Sequence, residues 1–287
     1  MSSSPFSIPS INDASQHPPQ ISAADGTRTW ITRASNFVVA TALCRAGAVI
    51  DGEHLPDESM LLLPDTGARV EIGGESFDIL PDSLVILPPG RVRIVAQGDG
   101  TIVRICSHLA TELMVLAGNR ADFSNPRPEV APLKPWPAPP GGYKVRIYHL
   151  PELTPPGERM RIFRSTNLMV NVVVETFAPR DVRTLSPHKH DDLEQATLCV
   201  RGQFIHHLRT PWTPDLHHWR DDLHAEVGSP SVTVIPAGVI HTSRSTTIDG
   251  GALLVDVFAP PRADFALHPT WGRNNDDYPL PPELRGA

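Results

Sequence analysis

From Trp30 onward the apolar residues come in short runs rather than at helical spacing. "NFVVATALC", "SMLLLP", "ARVEI", "SLVILP" and "IVRIC" are apolar or alternating, rich in Val, Ile and Leu, and bounded by Gly, Pro or Asp, a pattern that predicts β-strands. A second series follows in "LMVNVVVETF", "EQATLCV", "QFIHHLR", "SVTVIP", "HTSRST" and "GALLVDVF". Between the two series, "SHLATELMVLAGNRADF" predicts a short helix, and "SNPRPEVAPLKPWPAPPGGYK", with seven prolines and two glycines, predicts a linker. The 31 prolines and 20 glycines of the whole chain leave long helices little room. The expected organisation is an N-terminal arm over residues 1–29, a β-domain over 30–123, the linker over 124–143, a second β-domain over 144–265 and a tail over 266–287.

The two halves echo each other. "PDSLVILPPGRVR" lies against "SPSVTVIPAGVIH", each an apolar strand followed by Pro, any residue and Gly, and the next strands "TIVRICS" and "LLVDVFA" also correspond. "RADF" occurs at Arg120–Phe123 and again at 262–265. Duplicated domains of short strands are most simply two small barrels or jelly rolls.

Bulk properties narrow the role. The chain has 287 residues, about a fifth of them charged, and a formal net charge of −7, which argues against a nucleic-acid or acidic-membrane surface. Three widely spaced cysteines, Cys44, Cys106 and Cys199, fit reduced thiols better than a disulfide framework. The first twenty residues have no signal-like basic and apolar regions, and no run reaches membrane-spanning length. A cytoplasmic location is expected.

The candidate chemistry sits in "SPHKHDDLEQATLCVRGQF". On a strand, His188 and His190 would project to one face, Glu194 could return a carboxylate to it after the "DDL" turn, and "IPAGVIHTSRS" supplies His241 where a strand re-enters the fold. Three neutral imidazoles and one carboxylate suit Fe, Mn, Ni, Cu, Co or Zn and leave coordination positions open, as in catalytic rather than structural sites.

These residues resemble the two motifs of the cupin superfamily. Its first motif has two histidines one residue apart, a glutamate three or four residues on, then a glycine; its second is Pro-x-Gly-x-x-His. "HKHDDLE" with Gly202 is similar to the first and "PAGVIH" to the second, although Gly202 falls one residue late and Ser245 stands where the family often has Asn. The resemblance implies an all-β chain of two cupin-type β-barrels (double-stranded β-helix, or jelly roll), a bicupin. It implies His188, His190, Glu194 and His241 as ligands of one divalent metal per chain, with Fe(II) favoured over Mn, Ni, Zn, Co or Cu. In the N-terminal half, His54 and Glu58 fall on His190 and Glu194, but Gly52 and Arg93 replace the other two histidines. That half is expected to be a metal-free structural barrel or an anion-accepting pocket.

The stretch 206–226, "HHLRTPWTPDLHHWRDDLHAE", is expected as a hairpin extension, either a rim over the barrel mouth or an exposed hairpin whose tryptophans pack on the other domain. Alternation places Met169, Asn171, Val173 and Glu175 on one strand face, so Asn171 and Glu175 either meet substrate or face solvent. Arg161, Arg164 and Arg183 are candidate partners for a substrate carboxylate. Many two-domain cupins are dioxygenases of aromatic or dicarbonyl compounds, and the resemblance therefore implies an iron dioxygenase in which Glu194 also relays a proton. The ending "LLVDVFAPPRADF" resembles that of small sugar-acid cupins and implies the alternative, a non-redox isomerase or lyase. A non-catalytic binding barrel is the third reading. The expected partner is a small-molecule substrate, with no nucleic acid or membrane, in a monomer or homodimer.

Overall fold

The computed structural model describes residues 5–285. Most apolar runs form the strands their pattern predicts: Phe37–Cys44, Ser59–Leu63, Ala68–Ile72, Ser83–Leu87 and Gly100–Ser107 in the first half, then Gln195–Arg201, Phe204–Arg209, Ser231–Ile235, Ile240–Ser245 and Leu253–Phe258 in the second. "LMVNVVVETF" is regular only over Met169–Val172. The helix is confined to Thr111–Leu116, and both "RADF" segments coil, one as a 3-10 turn and the other into the helix Ala263–Leu267. Among the described residues no helix is long and apolar enough to cross a membrane.

Each half is a pair of antiparallel sheets. In the first half a seven-stranded sheet, centred on Ser59–Leu63 and Gly100–Ser107, accompanies a four-stranded sheet built from Val49–Leu55, Gly90–Ala96, Ala68–Ile72 and Glu75–Ile79. In the second, a six-stranded sheet centred on Gln195–Arg201 and Leu253–Phe258 accompanies the three-stranded sheet of Leu223–Val227, Phe204–Arg209 and Ile240–Ser245.

Why "SMLLLP" and "SLVILP" are apolar without alternation follows from what each face meets. Leu61, Leu63 and Val85 pack with Val70 and Ile94 inside the first half, whereas Met60, Leu62, Leu84 and Ile86 point the other way. There they join Val170, Val172, Ala196, Leu198, Val232, Val234, Val255 and Val257 of the second half in one core. The two large sheets are therefore buried on both faces, and alternation in polarity disappears. At roughly 25 cal/mol per Å² of apolar surface, this joint core holds the halves together as one body.

Two strands are exchanged between the halves. Ser10–Asp13 from the arm pairs with Ser231–Ile235 of the C-terminal sheet, and Arg146–His149, beyond the linker, pairs with Ser83–Leu87 of the N-terminal sheet. The tail folds back so that Tyr278, 1% exposed, donates its hydroxyl to the buried Glu58 at 2.6 Å. All three cysteines are buried and free.

Candidate metal centre

His188 and His241 face each other across a two-residue antiparallel bridge, with His188 N–H donating to His241 O at 3.0 Å and His241 N–H to His188 O at 2.8 Å. The turn "PAG" fixes the third member, because the Gly238 N–H donates to the His190 carbonyl at 2.6 Å. Gly238 has φ +79°, and a Cβ there would meet the Phe6 ring at 2.7 Å, so the turn requires glycine. His188 lies on no regular strand; this bridge and the turn do the work that strand alternation was expected to do. One ring nitrogen from each of His188, His190 and His241 lies within 4.8 Å of the others, and no other such group of three or more His, Cys, Asp or Glu occurs among the described residues.

Hydrogen bonds fix the rings. The Nδ1 atoms of His188 and His241 lie 2.9 Å from Ser186 O and 3.0 Å from Val239 O; a carbonyl only accepts, so Nδ1 carries the proton and Nε2 keeps its lone pair. Burial pushes the His241 imidazole down to about 4. It pushes His190 down to about 3, with the Arg262 charge as the next cause. Both rings are neutral near pH 7, as metal ligation requires.

Glu194 is the correction. The expected fourth ligand does not join the three imidazoles: its carboxylate, 2% exposed, accepts the Ser35 N–H at 2.6 Å and the Arg127 guanidinium at 2.5 Å. Side chains alternate across the incoming strand, so Glu194 shares the face of Ala196 and Leu198, which pack in the joint core. Gln195 takes the opposite face. Its Oε1 lies 2.8 Å from His190 Nε2 and 3.2 Å from His241 Nε2. With its proton on Nδ1, His241 turns a lone pair toward an oxygen lone pair, an arrangement that a cation between them satisfies. Three imidazoles and an amide oxygen thus form a donor set that fits a divalent transition metal. Gly202 carried the signal: it comes one residue late counted from Glu194 and in step counted from Gln195. Its φ of +85° and the Thr247 Oγ1 that a Cβ would meet at 2.5 Å demand glycine.

Behind Gln195 lies a carboxylate that the motifs did not point to. Asp256 Oδ1 accepts from Gln195 Nε2 and from Thr197 Oγ1, both at 2.9 Å, and Oδ2 from Asn171 Nδ2 at 3.3 Å. Desolvation raises the pKa of this carboxyl. Arg262 rests on the Phe258 and Phe265 rings at 5.1 and 4.1 Å, is held by both oxygens of Asp264, and brings Nη1 against both ring nitrogens of His190, nearer to Nδ1 than to Nε2. Its pairing with Asp264 offsets the charge it brings to the imidazoles.

These groups open onto a cavity of about 840 Å³ lined by His188, His241, Gln195, Asp256, Arg262 and Trp271 among others. Of the arginines proposed for a substrate carboxylate, none lies on it. Arg161 and Arg164 are buried and donate to carbonyls, Val172 O and Tyr278 O among them, and exposed Arg183 pairs with Asp181. Asn171 lines the cavity, while Glu175 pairs with Arg201 at 2.6 Å. The hairpin forms as Phe204–Arg209 and Leu223–Val227, but Trp212 and Trp219 stack on each other at 4.3 Å rather than on the other half, and neither lines the cavity.

The N-terminal half has no counterpart. His54 is exposed, and Arg93 points outward to Glu71 and Asp51 instead of into the sheet pair. Arg104, which falls on Asp256 in the internal repeat, fills the interior beside Gly52, Glu53 and Cys106 and leaves a void of about 10 Å³. Glu58 is bound to Tyr278 and Thr166.

No family model matches the sequence, and no curated protein matches it. Among solved structures it is similar to a Cupin 2 conserved barrel domain protein from Leptotrichia buccalis, with 10% identity, 87% of this chain and 96% of that one covered, and a TM-score of 0.50. It is also similar to the oxalate decarboxylase of Lactobacillus farciminis, solved as a formate complex (16% identity, 88% and 86% covered, TM-score 0.56). A third is Bacillus subtilis oxalate decarboxylase, studied for its Mn(II) centres (13%, 90% and 81%, 0.55). The fold is a cupin fold. The histidine cluster lies in the half that holds the six-stranded and three-stranded sheets.

Proposed function

We propose that this chain is a metal-dependent bicupin with its metal in the C-terminal half alone, acting without redox chemistry on a small carboxylate-bearing carbonyl or hydroxy compound, as an isomerase or lyase. The observation that carries the reading is the convergence of His188, His190 and His241 with Gln195 Oε1 at a cavity that also presents Asp256 and Arg262. A bound divalent metal supplies Lewis acidity toward a substrate oxygen.

The side chains supply the rest. Arg262, pre-oriented by Asp264 and two phenyl faces, holds the substrate carboxylate beside the imidazoles. Asp256, kept toward its protonated form by desolvation and held by Gln195 and Thr197, exchanges a proton with the substrate carbon or oxygen. Phe265 and Trp271, 5.4 Å apart edge to face on the cavity wall, exclude water from the carboxylate end. The ending that resembles sugar-acid cupins supplies Asp256, Arg262, Asp264 and Phe265 to this cavity, which supports a sugar acid or related compound as substrate.

A second reading, an iron dioxygenase of an aromatic or dicarbonyl compound, keeps the support of a neutral donor set with open positions, but without Glu194 as ligand and proton relay. Dioxygen uptake by iron-loaded and zinc-loaded protein over a panel of uronates, diketones and catechols separates the two. Turnover with zinc under anaerobiosis is expected; turnover that requires iron and consumes dioxygen overturns the non-redox reading.

A further inference from the structure

The cavity extends well beyond what one carboxylate beside the imidazoles occupies, since about 840 Å³ lies in the upper part of the roughly 300–1,000 Å³ range of small-molecule sites. Its wall carries two further guanidiniums, Arg159 and Arg180. The other arginine and lysine on this wall each have an acid: Arg262 has Asp264, and Lys189 has Asp191 at 2.5 Å. Among the described residues neither Arg159 nor Arg180 has a carboxylate at ion-pair distance. Arg180 donates to Ser243 O at 2.9 Å, Thr184 O at 3.0 Å and Ser186 Oγ at 3.1 Å, and its Nε is buried without a partner. Asp181, the nearest acid in sequence, is taken up by both ends of the Arg183 guanidinium at 3.1 and 3.0 Å.

We propose that Arg180 and Arg159 form a second anion subsite of the cavity, so that the substrate is an extended dianion whose far end carries a carboxylate or a phosphate. The proposal rests on the metal-site reading for what happens at the near end only. Two like charges on one wall, close enough that Arg159 lowers the pKa of Arg180 after desolvation has done so, cost stability until an anion lies between them. The Ser243 and Thr184 carbonyls and the Ser186 hydroxyl hold Nη1 and Nη2 of Arg180 in place on the wall, so its charge is positioned for a carboxylate or phosphate with no competing carboxylate beside it. Ser186 ties the subsite to the metal centre: its Oγ accepts from Arg180 and its carbonyl accepts the His188 Nδ1–H, so the subsite is two hydrogen bonds from the first imidazole.

Calorimetric titration of the purified protein with gluconate, glucarate and 6-phosphogluconate tests this, because the three share a skeleton and differ at the far end. At least tenfold tighter binding of glucarate or 6-phosphogluconate than of gluconate is expected, and the tighter of the two identifies the far-end group. Arg180→Gln and the exposed Arg159→Gln should each remove most of that preference while leaving gluconate binding in place, and Arg180→Lys should retain part of it. Equal affinity for the three ligands, or equal weakening of all three in both variants, overturns the subsite. Metal content measured on the same samples keeps the readings apart: a charge preference without bound metal counts against the metal centre alone.

Discussion

Glu194 accepts the backbone N–H of Ser35 at 2.6 Å, and Glu58, its counterpart in the internal repeat, accepts the backbone N–H of Thr166 at 3.1 Å. Ser35 and Thr166 are themselves counterparts. They sit in "RASNF" and "RSTNL", turns closed by equivalent bonds, Ala34 N–H to Phe37 O at 2.8 Å and Ser165 N–H to Leu168 O at 2.9 Å. Each half therefore reaches with one buried carboxylate into a hairpin turn of the other. The two glutamates of the motif positions are struts between the halves.

Glu194→Gln is thus expected to keep its metal and lose stability. It leaves Arg127 buried without its charge partner, a change that costs about 3–5 kcal/mol. Thermal melting and elemental analysis on the same preparation check this; a normal melt with lost metal would return Glu194 to the metal shell.

Gln195→Leu removes the amide oxygen between His190 and His241 and should weaken metal affinity by about 10–100-fold, measured by competition with a chromogenic chelator. Gln195→Glu should bind more tightly than wild type, because an anionic oxygen replaces a neutral one. Unchanged affinity in both variants would take Gln195 out of the donor set.

Asp256→Asn leaves the imidazoles in place and removes the exchangeable proton. A loss of about 100–10,000-fold in kcat with metal content preserved is expected once a substrate is found. Full activity in this variant would assign the proton transfer elsewhere.

Metal-free protein should lose stability as pH falls from about 6.5. The imidazoles of His190, His206 and His241 are pushed by burial down to about 3, 4 and 4, whereas in the unfolded chain they titrate near 6.5. Between those values the unfolded chain holds more protons, so acid favours unfolding across that window and stability is regained above it. Urea midpoints at pH 7 and pH 5 measure the effect. His206→Phe, at a ring that meets Ser243 and lies outside the metal cluster, should reduce the difference.

Strands and histidines were legible because both rest on local pattern. Val- and Leu-rich runs bounded by turns became strands, and "HKH" and "PAGVIH" came together through a bridge and a glycine turn. The role of Glu194 was hidden because a one-residue difference in where the strand begins reverses its face, and only the position of Gly202 records that start. Asp256 and Arg262 lie in the ending "LLVDVFAPPRADF", whose resemblance named no role for either, and Arg180 lies in no motif; their roles appear only when distant segments line one cavity. The strand exchange through Ser10–Asp13 and Arg146–His149 was unreadable for the same reason, since pairing partners far apart in the sequence leave no local mark.

The most direct test of the account is elemental analysis of protein purified without chelators, alongside His190→Ala, His241→Ala, Glu194→Gln and His54→Ala. About one equivalent of a divalent transition metal per chain is expected in the wild type, lost in the first two variants and kept in the last two. Metal retained without His190 and His241, or lost with His54, would contradict it.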